Sequence, residues 1–238
     1  MKAPAAERVA AAAASVGVTL TEGQRHVLVR YLDRVLIWNA RLGLTAHRRL
    51  DELITIDLTD ALCVLKADVG PRARLIDVGS GAGFPGIPLH IVRPDLAITL
   101  LEANRKRVAF LERVAADLDL VLQIELGRAE AAGHQQGLRE AFDVATSRAV
   151  APLAVACELA LPLVRVGGKG VFIKGPRVSE EHAAGARAAV ALGGGPPQAI
   201  SVAAADGRRR VVVIVPKIAP TPAAFPRRPS ISRRKPVG

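Results

Sequence analysis

The chain has 238 residues, half of them hydrophobic, with a formal net charge of +11 and a pI near 10.7. That length suits one good-sized domain, or one with a small appendage; the charge points to a polyanionic partner, and seven aromatics are too few for bases to stack on in series. No stretch reaches the roughly 18 apolar residues that a membrane span needs. Cys63 and Cys157 stand in unrelated apolar contexts. Their spacing suits neither a metal site nor a redox pair, so buried thiols in a reducing cytoplasm are expected.

Residues 1–70 read as a helical cap. Val9 to Val16 forms an Ala-rich helix, and Val27, Leu28, Tyr31, Leu32, Val35 and Leu36 mark one face of another from Gln24 to Trp38. A further helix is predicted over Asp51–Lys66, and Gly70-Pro71 breaks the pattern. From Ala73, short β-branched runs alternate with helices. The predicted strands are Arg74–Val78, Ala97–Glu102, Leu120–Leu126, Phe142–Thr146 and Gly170–Lys174, followed by Gln198–Val202 and Arg210–Val215. Between them the pattern predicts helices Pro85–Val92, Lys106–Asp117, Pro152–Leu163 and Glu180–Leu192. This is an α/β fold with a doubly wound, mostly parallel seven-stranded sheet over residues 71–216, its last two strands an antiparallel edge hairpin. The basic segment 217–238, with Pro216 before it, is Pro-rich and reads as extended or mobile. Nine Arg or Lys residues and no acid lie between Gly207 and Gly238, as in a binding tail.

The most informative stretch is Leu75 to Gly86. An apolar run ends in Asp77, then Gly79, Gly81, Gly83 and Gly86 follow within eight residues, with a helical pattern after them. Glycine turns the backbone sharply and lets it approach a ligand, and a strand, glycine turn and helix N-terminus together cradle a nucleotide-like cofactor. Glu102 ends the next strand, roughly 20 residues on, where an acid can hold a ribose diol. Gly81 to Gly86 formally matches the dinucleotide pattern G-x-G-x-x-G, but the first glycine after the strand is Gly79. From there the register is G-x-G-x-G, which resembles the first motif of class I S-adenosylmethionine-dependent methyltransferases.

The string Asp77 to Leu89 (DVGSGAGFPGIPL) sharpens the likeness. It resembles the signature of the glucose-inhibited division protein B family, bacterial small-subunit ribosomal RNA guanine-N7 methyltransferases. Further blocks agree in order: Trp38-Asn39 with Leu44-Thr45, Glu102 to Leu111, Gly127 to Glu130, Phe142 to Ala149, Lys174-Gly175, and Phe225 to Arg228 with Lys235-Pro236. The departures are Asp57 in place of a His, Ala61 in place of a Ser, Gly43 in place of an Asn, and Pro229-Ser230 where a glycine would follow.

The resemblance implies S-adenosylmethionine as cofactor and ribosomal RNA or the small ribosomal subunit as partner, with neither metal nor membrane, in a cytoplasmic monomer. It implies that Gly79, Gly81, Gly83 and Phe84 adjoin the cofactor, Glu102 its ribose, and Ala129 and Glu130 its adenine. Arg148 and Lys174 fall nearest the reaction, with Arg148 also at the cofactor. Lys106, Arg209, Arg227 and Arg228 would meet RNA. Guanine N7 has a lone pair and no proton to lose, so positioning and electrostatics should carry the catalysis. Two other readings share the fold: a divergent paralogue acting on another RNA or a small molecule, and an RNA-binding module without turnover. A dehydrogenase fits less well, because of Pro85 and the glycine register.

Overall fold

The computed structural model describes residues 3–148, 151–175, 177–204, 206–232 and 234–237. Ala149, at the end of one family-like block, lies outside them. The strands are β1 (Arg74–Val78), β2 (Ala97–Glu102), β3 (Gln123–Leu126), β4 (Phe142–Arg148), β5 (Val164–Lys174), β6 (Gln198–Ala203) and β7 (Arg209–Pro216). They form a seven-stranded sheet in the order β3-β2-β1-β4-β5-β7-β6. The first five pair in parallel, and β7 runs antiparallel between β5 and β6. The chain reverses strand order beside β1, the place where open α/β sheets bind ligands.

Side chains alternate across the strands, so Leu75 joins one core and Ile76 and Val78 the other. The first core is covered by α1 (Ala5–Ser15), α2 (Glu22–Leu42), the helical segment 50–67, α5 (Gly86–Val92) and α6 (Arg105–Asp117). The second lies under α7 (Ala129–Ala132), α8 (Leu153–Ala160) and α9 (Val178–Ala191). The helices predicted as a cap therefore share one core with the sheet. The α2 helix starts at a capping box: Thr21 Oγ1 accepts from Gln24 N, and Gln24 Oε1 accepts from Thr21 N. Gln24 Nε2 then donates to the carbonyls of Ile91 and Val92, which ties α2 to the end of α5.

The segment 50–67 is not one regular helix. It begins as α3 (Leu50–Glu52), opens into a π-helical turn over Leu53–Leu58, continues as α4 (Thr59–Leu62) and tightens to a 3-10 turn over Cys63–Ala67. Strand β5 starts six residues before its predicted beginning. Glycine there permits a close approach, since a Cβ on Gly168 would lie 2.5 Å from the Asp143 carbonyl, at a register shift in the β4–β5 pairing.

The largest correction concerns the basic C-terminal segment. It is docked on the second face rather than extended or mobile, and it carries α10 (Pro229–Ser232). Lys217, 1% exposed, donates to Glu140, Thr221 and the carbonyls of Leu161 and Val164. Arg139 bonds the carbonyls of Thr221 and Phe225. Arg227 meets the fully buried Glu158 of α8 through Nε at 2.8 Å and Nη2 at 2.7 Å. Composition did not reveal the docking because polar anchors, not an apolar run, hold the segment.

Removing one partner of a buried pair strands the other charge. Arg227→Ala should therefore lower unfolding free energy by about 3 kcal/mol in urea titrations. The pair Arg227→Leu with Glu158→Leu should recover part of that loss; a loss below about 0.5 kcal/mol for Arg227→Ala would show an idle surface contact.

Candidate active site

The turn after β1 is drawn down onto β2, with Gly79 N and Ser80 N donating to the Leu101 carbonyl at 2.8 and 3.2 Å. Gly81 and Gly83 take φ of +58° and +98°, conformations that favour glycine. A Cβ on Gly83 would strike Ile87 at 2.5 Å, so that glycine serves packing. One on Gly81 would meet no atom closer than 3.8 Å. Its lack of a side chain keeps open a cleft of about 430 Å³, walled by this turn, Glu102, Arg107, Arg148 and the loop Leu44–His47.

Glu102 is 5% exposed. Its Oε2 accepts from Gly81 N at 2.9 Å and its Oε1 from Asn104 N at 2.8 Å. The carboxylate is thus fixed at the rim of the cleft, with further lone pairs for hydroxyl donors. Asp77 lies beneath the turn. Its Oδ2 accepts from Gly86 N at 3.0 Å, while its Oδ1 is buried without a partner among the described residues. Thr146 Oγ1, on its register neighbour in β4, is orphaned likewise. Burial pushes the Asp77 carboxyl up to about 7.

The opposite wall explains several sequence blocks together. Asn39 Nδ2 donates to the His47 carbonyl and its Oδ1 accepts from Thr45 N, at 2.8 and 3.0 Å. Gly43 ends α2 with φ +56°, a left-handed position that Gly and Asn both tolerate, so the departure there preserves the backbone. Tyr31 Oη donates to the Ala82 carbonyl at 2.9 Å and its ring stands edge-on to Phe84, 5.2 Å between centroids. Burial holds the Tyr31 phenol well above its ordinary range.

Arg148 ends β4 over the face of Phe84, 5.1 Å from the ring centroid. Its Nη2 donates to Asp57 Oδ1 at 2.6 Å and its Nη1 to Asp60 Oδ2 at 3.2 Å. Burial opposes its charge, but Asp57 and Asp60 outweigh that and raise its pKa above the ordinary arginine value. Asp57, 1% exposed at its side chain, also accepts from His47 Nδ1 at 2.7 Å. Asp60 Oδ1 accepts from Arg210 Nε at 2.6 Å, and Arg210 in turn grips Asp206 at 2.7 and 2.8 Å.

Beyond Arg148 a second cleft, of about 460 Å³, is lined by Ile56, Asp60, Lys174, Arg208 and Arg209. Arg148 lines both clefts. Lys174 donates to Glu181 and to the Ala151 carbonyl at 2.9 and 2.7 Å, whereas Arg208 and Arg209 are exposed.

The structure thus gathers Gly79, Gly81, Phe84, Glu102 and Arg148 at the first cleft and Arg148, Lys174 and Arg209 at the second. Gly83 shapes the turn from behind. Ala129 and Glu130 are not among the lining residues; Gly127 N donates to the Glu102 carbonyl at 3.0 Å, which sets their turn beside that acid. Lys106 is exposed next to the cleft-lining Arg107, and Arg228 is exposed away from both clefts' linings. Arg227 faces Glu158. Sequence reasoning missed Arg107, His47 and the joint role of Asp57, Asp60 and Arg210, whose union depends on tertiary contacts.

The strand order, the glycine turn at its reversal and the acid closing β2 define the Rossmann-like fold of class I S-adenosylmethionine-dependent methyltransferases. Two solved structures share that fold: a methyltransferase from Pyrococcus furiosus (TM-score 0.56, 17% identity, 81% of this chain and 98% of that one) and geranyl diphosphate C-methyltransferase from Streptomyces coelicolor (0.55, 16%, 82% and 97%). A family model described as "GidB: rRNA small subunit methyltransferase G" matches residues 24–212. Curated relatives named "Ribosomal RNA small subunit methyltransferase G" include one from Chloroflexus aggregans, 42% identical over 93% of both chains. Another, from Moorella thermoacetica, is 39% identical over 96% of this chain and 97% of its own. The chain belongs to this family, and its cofactor is S-adenosylmethionine. The cleft fits that group: an open glycine turn at the reversal of strand order, and a fixed acid at the rim with lone pairs left for hydroxyl donors.

The Asp77 carboxyl makes stability depend on pH. The folded protein keeps this proton up to about pH 7, while the unfolded chain releases it near 3.8. The folded state binds more protons in that window, so this group's contribution to stability is lost as pH rises from about 4 to 7. Asp77→Asn should stabilise the cofactor-free protein at neutral pH by up to roughly 4 kcal/mol relative to the parent and flatten the profile. Parallel pH profiles of denaturation midpoint would contradict the assignment.

Proposed function

We propose that the protein methylates N7 of a guanine in small-subunit ribosomal RNA, acting in the cytoplasm as a monomer. The observation that carries this reading is the meeting of the two clefts at Arg148. One has the features of a nucleoside cradle, and the other presents cations to a polyanion.

In this reading Glu102 takes the ribose hydroxyls, the Gly79–Gly83 turn admits the methionine part, and the Arg128–Glu130 turn borders the adenine. When bound, S-adenosylmethionine would supply an activated methyl carbon, open to in-line attack by the N7 lone pair, with the S–C electron pair leaving on sulfur. No proton is removed from N7, so no general base is needed. The task of the protein is alignment and a suitable field. Positive charge passes from sulfonium to the guanine ring as the bond forms. Arg148 stands beside that path with its own charge offset by Asp57 and Asp60, so it can orient the base without strongly opposing the charge that develops.

N7 lies on the major-groove edge, which in A-form RNA is too deep and narrow for side chains. The target base therefore belongs to a loop or an opened strand. Arg208 and Arg209, and Lys106 across the first cleft, meet the backbone.

Labelled S-adenosylmethionine with unmethylated small subunits should yield N7-methylguanosine on nucleoside digestion, at one methyl per subunit; label on another nucleoside, or none, would overturn the reaction assigned. Glu102→Ala should weaken binding of the cofactor product by about 1–3 kcal/mol in calorimetry, and an unchanged affinity would remove the ribose role. Arg209→Ala should weaken RNA binding and reduce the slope of log affinity against log salt by about 1. An unaltered slope would place Arg209 off the RNA path.

A further inference from the structure

Six charged or titratable side chains form a continuous chain from the first cleft to the turn between β6 and β7. His47 meets Asp57 at 2.7 Å, Asp57 meets Arg148 at 2.6 Å, and Arg148 meets Asp60 at 3.2 Å. Asp60 meets Arg210 at 2.6 Å, and Arg210 closes on Asp206. The ends are differently placed. His47 belongs to the wall of the cofactor cleft. Asp206 sits in the β6–β7 turn, where it also accepts from the backbone N of Arg208 at 3.1 Å, and Arg208 lines the acceptor cleft.

The two acids in the middle are brought to one guanidinium by the irregular helix. Asp57 lies in the π-helical turn and Asp60 in the α-helical turn that follows. Thr59 Oγ1 reaches the carbonyl of Ile54, five residues back. Such a turn departs from regular α-helical register, and such departures concentrate at functional sites. Arg148 and Arg210 are themselves largely buried, at 16% and 4% side-chain exposure, so neither can drop an acid without stranding charge.

We infer that Asp57 and Asp60 are positioning residues that couple the two clefts, so that RNA held by the β6–β7 turn tightens cofactor binding and the reverse. The inference rests on the reading of the second cleft as the RNA site. A ligand on Arg208 and Arg209 fixes the turn that carries Asp206, hence Arg210, hence Asp60, and so the second arm of Arg148 over Phe84. Arg148 lines both clefts, so each ligand favours the setting of this bridge that the other uses. Linkage requires the effect to be equal in both directions. Asp57 belongs to the cofactor half of the bridge, because it also fastens the Leu44–His47 wall. Asp60 belongs to the span between halves.

The test is calorimetric binding of S-adenosylhomocysteine to the full chain, with and without small-subunit ribosomal RNA, with RNA binding measured separately by filter retention. In the parent protein, RNA should tighten S-adenosylhomocysteine at least about fivefold, a typical coupling. Asp60→Asn should lose most of the RNA enhancement, read as the ratio of its S-adenosylhomocysteine affinities with and without RNA; Asp60→Glu should restore part of that ratio. Asp57→Asn should weaken S-adenosylhomocysteine even without RNA. A merely structural role for Asp60 would weaken both ligands alike and leave their coupling intact, which overturns the inference. RNA binding with no effect on cofactor affinity in the parent protein overturns the inference alone. Failure of the parent protein to retain RNA overturns the reading of the second cleft, and this inference with it.

Discussion

A guanidinium held inside a protein cannot shed its charge, so it must be given anions that do not move. Arg148 is in that position, and much of the architecture follows from it. It ends β4 at the edge where the sheet reverses order, between Asp57 and Asp60 and above Phe84. Those acids come from the segment 50–67, which must therefore pack on the sheet rather than stand off as a separate cap. The π-helical turn, the shared first core and the Tyr31–Phe84 contact all serve to hold that segment in register with the end of β4.

The net charge of +11 is distributed by the same logic. At the edge where the parallel strands begin, cations are matched: Arg93 with Asp95 and Arg165 with Asp143. At the opposite edge Arg208, Arg209 and Lys106 remain exposed beside the clefts, while Arg148 and Arg210 are buried with acids. Charge density along the chain pointed to the C-terminal segment as the polyanion-binding element. Within that segment Arg227 and Lys217 are spent on holding the fold. A count of basic residues cannot distinguish a cation facing solvent from one facing Glu158.

What was legible in the sequence was what local chemistry decides. β1 and β2 match their predicted bounds because short β-branched runs end at a glycine turn and an acid. The glycine turn and Glu102 were readable for the same reason: a ligand-approaching backbone demands glycine within a few residues of a strand end. β5 was misjudged where Gly168 serves close packing instead of interrupting a strand, and the helix predicted over Pro152–Leu163 gives way to a 3-10 turn at Leu161–Leu163, where Pro162 sits. The departures at Gly43 and Asp57 illustrate the limit best. Taken singly they are only departures from the family pattern. In the structure Gly43 keeps a left-handed cap, and Asp57 is the acid that Arg148 and His47 share. The partners of Asp57 lie ten and about ninety residues away, beyond any periodicity.

The chemistry accounts for why so much of the site is scaffold. A nucleophile with a free lone pair and an activated methyl group need neither proton transfer nor a covalent intermediate on the protein, so selection for rate acts on distance, angle and field. Field is set by charges that do not reorganise when the methyl group moves. Asp57, Asp60 and Asp206 alternate with Arg148 and Arg210 in a largely buried chain that meets this requirement: each ion is fixed by a neighbour of opposite sign. An isolated arginine could orient the same base, but its uncompensated charge would oppose the product it helps to form.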